Sequence, residues 1–414
     1  MATERHNVLS EPFPLPMRAT GVRKTNEHWL VVAHEASNSG APRMLLELLR
    51  GVRAASDPTW SCEILLGRGG PLTEEFASLG PVQRLTGPRA EGTGLVSKLF
   101  DRLVDKPILQ PRRLGRMMEE WRRQKIRLVY ANSATNGRLL PALRTLGCPV
   151  VTHVHELDYS LRRFNSRADL AATLKYTDHF FAVSRAVVSD LIVLGVPRER
   201  VTRVPNFLAE LPPAIDLATA RNEVCQRLQL PPGTRLITAC GHIDWLKGPD
   251  LFVEMAGLLA HQIMPPVAFL WLGGDSDPAL ARRVRAEARR KNLGHLMRFG
   301  GAVRDPELYF AASEIVAVTS RVESFSRVAL EAGALGRPVL CFAAARGPAD
   351  LLDAESMVAE LNASAMAAAV ADLLNHPEEA RRRGRRLRER IAAEFMAERW
   401  IGKILGTVET LRHA

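Results

Sequence analysis

Three side chains carry the most pointed chemistry in the sequence: two glutamates separated by seven residues, and a lysine framed by glycines. The glutamates lie in Glu323-Ser324-Phe325-Ser326-Arg327-Val328-Ala329-Leu330-Glu331. An apolar run from Ile315 to Val318 reads as a strand ending just before them, and Ser326 suits the N-cap of a helix predicted to run through Leu335. Gly336 fits a left-handed helix cap, and Pro338 blocks continuation before the next strand, Val339 to Phe342. Glu323 thus falls outside a helix N-terminus. Glu331 falls about 7.5 Å along the axis from Ser326, at ~1.5 Å per residue. Between them the free N–H groups of Phe325, Ser326, Arg327 and Val328 can face an anion, aided by the helix dipole. A diphosphate fits that position, leaving one carboxylate on each side to hold hydroxyls. A nucleotide-sugar, with a ribose at one end and a hexose at the other, meets this pattern.

The same residues resemble a known signature. Glu, seven residues, Glu and a helix ending in Gly-x-Pro, within Ser-Phe-Ser, Leu-Glu-Ala-Gly and Gly-Arg-Pro-Val, is similar to the retaining GT-B glycosyltransferases of family 4. The resemblance implies that Glu323 touches the transferred sugar and Glu331 the ribose. Upstream, Gly241-His242-Ile243-Asp244-Trp245-Leu246-Lys247-Gly248 matches the family's Gly-Arg, short loop and Lys-Gly, whose two cations lie on the diphosphate. Lys247 fits, and His242 replaces the arginine with a group only partly charged at neutral pH. His155, followed by Glu156, matches a family histidine and acid near the sugar's primary hydroxyl. Met297 to Val303 matches the strand and loop beside the base. The expected catalytic residues are therefore His155, Glu323 and Lys247. The expected donor contacts are Gly40, Gly241, His242, Lys247, Val303, Glu323, Ser324, Phe325, Ser326, Arg327, Val328 and Glu331, with no metal ligands and no cofactor.

These residues need elements to position them. Trp29 to Ala33 reads as a first buried strand, running into Ser37-Asn38-Ser39-Gly40-Ala41-Pro42 and a helix predicted from Arg43 to Ala55. Gly40 then lies at a strand's carboxyl end, where open α/β sheets bind ligands. Cys62 to Leu66, Leu128 to Ser133 and Pro149 to His155 continue the strand series, and Gly67 to Leu72 reads as a turn because it matches neither nucleotide-loop pattern. His153 and His155 share one strand face. Pro212-Pro213 marks a linker, and a second alternating series starts near Leu236. The fold class predicted is α/β of the GT-B kind, two Rossmann-like domains facing across a cleft. A polar leader covers 1–27, an acceptor domain 28–211, a nucleotide-sugar domain 212–395, and a helix at 396–414 returns to the first domain.

With 46% hydrophobic and 24% charged residues over 414 positions, the composition is that of an ordinary globular protein of two or three domains. No apolar run is long enough for a spanning helix, and the first 28 residues lack a signal peptide's apolar stretch, so a cytoplasmic location is expected. The cysteines Cys62, Cys148, Cys225, Cys240 and Cys341 form no C-x-x-C pair, which argues against a disulfide framework or zinc cluster.

The formal charge is +11. It concentrates in two segments, residues 97–127 and residues 381–390, each net +6, leaving the remainder nearly neutral. Residues 95–104 place apolar side chains at helical spacing with cations on other faces. An anionic membrane surface is one partner these patches fit, and solvated helix faces are the alternative. No nucleic-acid reading motif accompanies the arginines.

The expected partners are a nucleoside-diphosphate sugar and a saccharide or lipid-linked acceptor. A nucleotide-sugar epimerase on the same fold, needing no acceptor, and a basic binding protein with a degenerate pocket are the rival readings. Glu323, Glu331, Lys247 and His155 together argue against degeneracy.

Overall fold

A computed structural model of the chain describes residues 27–56, 59–85, 109–213, 215–260 and 267–413. The polar leader, apart from Glu27, and the amphipathic stretch at 95–104 lie outside the described residues.

Among the described residues, thirteen strands form two parallel sheets. The first contains β1 (His28–Ala33), β2 (Ser61–Leu66), β3 (Val82–Arg84), β4 (Leu128–Asn132), β5 (Val150–Val154), β6 (His179–Ala182) and β7 (Val201–Arg203). Their order is β3-β2-β1-β4-β5-β6-β7. The second contains β8 (Arg235–Cys240), β9 (Val267–Leu272), β10 (Met297–Gly301), β11 (Ser313–Val318), β12 (Val339–Phe342) and β13 (Met357–Val358), ordered β10-β9-β8-β11-β12-β13. The strands read as near-continuous apolar runs because both sheet faces are covered; Leu30 to Ala33 are wholly buried.

Both sheets reverse direction beside their first strand, between β1 and β4 and between β8 and β11. The crevice outside the carboxyl ends at such a reversal is where doubly wound sheets bind ligands. His34, Asn132 and Gly40 follow or end strands at the first reversal, and Gly241, Lys247 and Glu323 follow strands at the second.

The helix after β1 starts earlier than its sequence predicts, spanning Gly40–Ala55. Pro42 is its third residue, within the first turn. Proline is accommodated there because the opening N–H groups of a helix have no acceptor within it. Arg43 makes the first backward bond, its N–H donating to Ser39 O at 3.2 Å.

The last helix, Ala397–His413, buries Trp400, Ile401, Ile404 and Val408 against Leu45, Leu48, Leu49 and Val52 of the helix Gly40–Ala55. Its apolar stripe follows helical spacing. Just before it the chain is fastened to the first sheet's side by Leu208 N–H on Phe395 O and Ala397 N–H on Leu208 O, both 2.9 Å.

Candidate active site

At the first reversal, β4 and β5 end side by side and are tied together by Glu156. Its carboxylate accepts from the Ser133 hydroxyl, from His155 N–H at 2.9 Å and from Ala134 N–H at 3.4 Å. The acid beside His155 thus fixes the loop that carries the imidazole. His155 Nε2–H donates to Asn132 Oδ1 at 2.8 Å, which leaves Nδ1 as the ring's acceptor. Burial, then His153 and His34, push the His155 pKa well below its ordinary value, so the ring is neutral at pH 7 and its Nδ1 can accept a hydrogen bond.

His153 is deeper. Tyr130 O–H donates to its Nδ1 at 2.8 Å and its Nε2–H donates to Val204 O at 3.1 Å, an arrangement that uses the neutral tautomer fully. Burial lowers its pKa to about 4, and burial with Arg200 does the same for His179. A histidine whose folded pKa is depressed binds fewer protons folded than unfolded, so stability falls as pH drops below the unfolded value near 6.5. His153 alone should contribute a loss of roughly 2 kcal/mol by pH 5. His34 works in the opposite sense: burial disfavours its charge, but Glu35 and Glu156 outweigh that and raise its pKa. The expected net result is a lower urea midpoint at pH 5 than at pH 7, and equal midpoints would contradict it.

At the second reversal, the loop after β8 is held by short local bonds. Asp244 Oδ1 accepts from Lys247 N–H at 3.0 Å, and Thr319 Oγ1 donates to Lys247 O at 3.2 Å and Gly248 O at 3.1 Å. Gly248 has φ +65, and a Cβ there would meet Thr319 O at 2.2 Å, so only glycine lets the loop press against the end of β11. A Cβ on Gly241 would lie 3.0 Å from Lys247 Cγ; the bare backbone there leaves the lysine stem its course.

Lys247 Nζ reaches Glu323 Oε2 at 2.7 Å, and Ser320 Oγ donates to the same oxygen at 3.2 Å. Burial opposes the ammonium charge, but Glu323 and then Asp244 outweigh it and raise the Lys247 pKa. The lysine is therefore a fixed cation next to Glu323. His242 is exposed, and among the described residues its ring makes no hydrogen bond. Val303 lies past β10, partly buried against the main core.

The helix after β11 spans Arg327–Ala334 and begins at Ser326, whose Oγ accepts from Ala329 N–H at 3.2 Å. Ser326 adopts φ +79, which costs a residue with a side chain roughly 1 kcal/mol or more. The N–H groups of Arg327 and Val328 point out of the helix end, as the first turn has no acceptor for them. Phe325 is wholly buried and packs on Phe395, with ring centroids 5.7 Å apart, so its side chain is core and only its backbone belongs to the site. Val328 is partly buried beside it, and Ser324 lies between Glu323 and this core.

Arg327 turns across to the other sheet's side. Its Nε donates to Glu331 at 2.6 Å and its Nη2 to Glu47 on the helix Gly40–Ala55. A Cβ on Gly40 would lie 3.9 Å from Arg327 Cβ. Gly40, Arg327 and Glu331 therefore meet at one point, and Lys247 meets Glu323 at another. Arg327 Nη1 and Glu47 Oε2 are buried without a partner.

The arginines of residues 381–390 lie on the helix Pro377–Glu394 and are largely engaged. Arg381 pairs with Glu378, Arg382 and Arg383 with Glu379, and Arg386 with Glu355 and Asp353. Arg388 and Arg390 donate to backbone carbonyls. Of the other basic segment, residues 109–124 form a helix that buries Met117, Met118 and Trp121 on the first sheet. Among the described residues no helix is long and apolar enough to cross a membrane, and no three His, Cys, Asp or Glu side chains converge as metal ligands.

His34, Asn132, Glu47 and Ser320 join the site without having been predicted. His34 directly follows the strand Trp29 to Ala33, so strand-end position alone could have flagged it. Glu47 carries no local signal, being one polar residue of an amphipathic helix.

Two family models match the chain: "Glycosyltransferase Family 4" over residues 39–209 and "Glycosyl transferases group 1" over residues 221–390. The D-inositol 3-phosphate glycosyltransferase of Xylanimonas cellulosilytica is 33% identical over 174 residues, 40% of this chain and 41% of that one. Its namesake from Segniliparus rotundus is 29% identical over 285 residues, 64% and 62% of the two chains. The chain thus spans less than two thirds of the length of these curated relatives. The Anabaena protein Alr3699/HepE, solved in complex with UDP and glucose, superposes with a TM-score of 0.74 at 17% identity, covering 92% of this chain and 99% of that one.

Proposed function

The chain belongs to the GT-B glycosyltransferases that these two family models describe, and from that premise we propose that it is a retaining enzyme that needs no metal. It moves a sugar from a UDP- or GDP-type nucleotide-sugar to a saccharide or lipid-linked acceptor, in cell-envelope glycan synthesis. Residues 28–211 form the acceptor domain, 212–395 the nucleotide-sugar domain and 396–414 the returning helix. The observation that carries the reading is the convergence of Lys247, Glu323 and a capped helix N-terminus at the second sheet's reversal. That set supplies positive charge where a diphosphate departs and a carboxylate where the sugar sits. The UDP and glucose of the Anabaena structure, on the same fold, support the choice of donor.

The acceptor oxygen bonds to the anomeric carbon on the face from which the diphosphate oxygen leaves, and the acceptor proton passes to that departing oxygen. Lys247 and the N–H groups of Arg327 and Val328 stabilise the charge that develops on the diphosphate. Glu323 holds sugar hydroxyls and keeps Lys247 in place, and His155 Nδ1 accepts from the primary hydroxyl. His242, exposed on the same loop as Lys247, is a further donor within the stretch that faces the diphosphate.

A thermal-shift series with UDP, GDP, ADP and their glucose or mannose conjugates tests the donor assignment. A true donor at a hundred times its Kd stabilises the fold by about 2.7 kcal/mol, and a series with no shift at millimolar ligand overturns the reading. Turnover is expected to survive exhaustive chelation, because cations and helix terminus do the work a metal does elsewhere. Activity lost to chelator and regained only with magnesium or manganese would refute metal independence.

A further inference from the structure

Arg346 stands four residues past β12 with a left-handed backbone, φ +67 and ψ −59, a conformation unfavourable for any residue bearing a side chain. That backbone is joined to Glu323. The two residues form an isolated parallel bridge, with Glu323 N–H on Ala345 O at 3.3 Å and Gly347 N–H on Glu323 O at 3.0 Å.

The side chain points the other way, across to the first sheet's half. Its guanidinium grips Asp190 with both arms, Nη2 to Oδ1 at 2.6 Å and Nη1 to Oδ2 at 3.0 Å. Asp190 is buried in the helix Arg185–Val193, and its Oδ2 also accepts from Asp158 N–H at 2.7 Å. Asp158 opens the helix that directly follows His155, Glu156 and Leu157. One arginine therefore links the loop holding Glu323, bonded directly to its backbone, to the loop holding His155, reached through Asp190 and Asp158.

We propose that Arg346 is a positioning residue, a strut that sets the distance between Glu323 and His155 across the cleft. The proposal rests on the reading that these two residues face the transferred sugar. Two features argue for a strut rather than a general fastening. The strained backbone is retained where glycine would relieve it, and strain of this kind persists where the side chain's direction matters. A separate tie already joins the same loop to the first half: Asp350 accepts from Arg203 Nη1 at 2.9 Å and from Arg185 N–H at 3.0 Å. Association of the halves does not depend on Arg346, but the spacing of the two sugar-facing residues does.

The test is Arg346→Gly, which suits the left-handed backbone and removes only the strut. Initial rates of UDP release from UDP-glucose, or of GDP release from GDP-mannose, are measured with whichever donor stabilises the wild type. Melting temperature and free-nucleotide affinity are followed alongside. The expected result is a kcat lowered about ten- to a hundredfold, the scale set by small misplacement of reacting groups, with nucleotide affinity within about twofold. The buried Asp190 carboxylate left unpaired lowers the melting temperature, and Asp190→Asn added to Arg346→Gly restores it without restoring kcat. Arg346→Lys, which keeps the charge but not the two-armed grip, should fall between. Asp190→Asn should lower kcat similarly and add little to Arg346→Gly, since both cut one link. Wild-type kcat in Arg346→Gly while Glu323→Gln is crippled overturns the strut alone. Wild-type kcat in Glu323→Gln overturns the underlying site reading, and the strut with it. Parallel loss of kcat, nucleotide affinity and melting temperature in Arg346→Gly makes the residue merely structural and also refutes the proposal.

Discussion

Lys247→Ala is expected to lower turnover about 100- to 1,000-fold, the range found when one preorganised donor is removed from a developing negative charge. The size follows from the setting. Lys247 is kept cationic by Glu323 at 2.7 Å and by Asp244, so its charge is in place before the diphosphate leaves and needs no reorganisation. The substitution also strands Glu323, whose side chain is 12% exposed, and a largely buried carboxylate without its partner weakens the fold. Melting curves separate the two effects. Lys247→Met combined with Glu323→Gln removes both charges and should recover stability without recovering rate. Lys247→Ala with more than half of wild-type kcat would show that the helix terminus alone carries the leaving group.

The second large effect separates the two glutamates. Glu331→Gln should weaken binding of free UDP or GDP by roughly 1.5 to 3 kcal/mol, the worth of a hydrogen bond to a charged group. Glu323→Gln should leave that affinity within about twofold and lower turnover on the order of a hundredfold. The geometry sharpens the contrast. Glu331 is grouped with Arg327, Glu47 and Gly40, whereas Glu323 is grouped with Lys247 and Ser320. Calorimetric titration of the free nucleotide is the deciding measurement, and equal losses in the two variants would remove the assignment of one carboxylate to ribose and the other to the sugar.

What the sequence made legible was local. Ser326, Gly336 and Pro338 mark the start and end of the helix after β11 through side-chain capping and backbone restriction, and the observed span, Arg327–Ala334, falls one residue short of the predicted end. Gly248 was legible for the same reason, as part of a Lys-Gly frame. What stayed hidden depended on distance along the chain. Besides Glu331, Arg327 pairs with Glu47, 280 positions away, and nothing in either residue's neighbours marks that distant pair. The arginines of 381–390 illustrate the reverse error of scale. A count within that window gives net +6, but Glu378, Glu379, Glu355 and Asp353, which pair with them, all lie outside it. Arg346 has no sequence mark at all, because its left-handed backbone is held by a bridge to Glu323 and its side chain by Asp190, both far along the chain.

The helix Ala397–His413 closes the apolar face of the helix Gly40–Ala55, and this bears on biosynthesis. Leu45, Leu48, Leu49 and Val52 leave the ribosome some 350 residues before Ile404 and Val408 that cover them. At ~5–20 residues per second this interval is on the order of half a minute. During translation the first half carries an uncovered apolar face, the kind of surface that makes a partly folded chain prone to association. The native first half is thus completed last, when the helix that carries Trp400, Ile401, Ile404 and Val408 has been made.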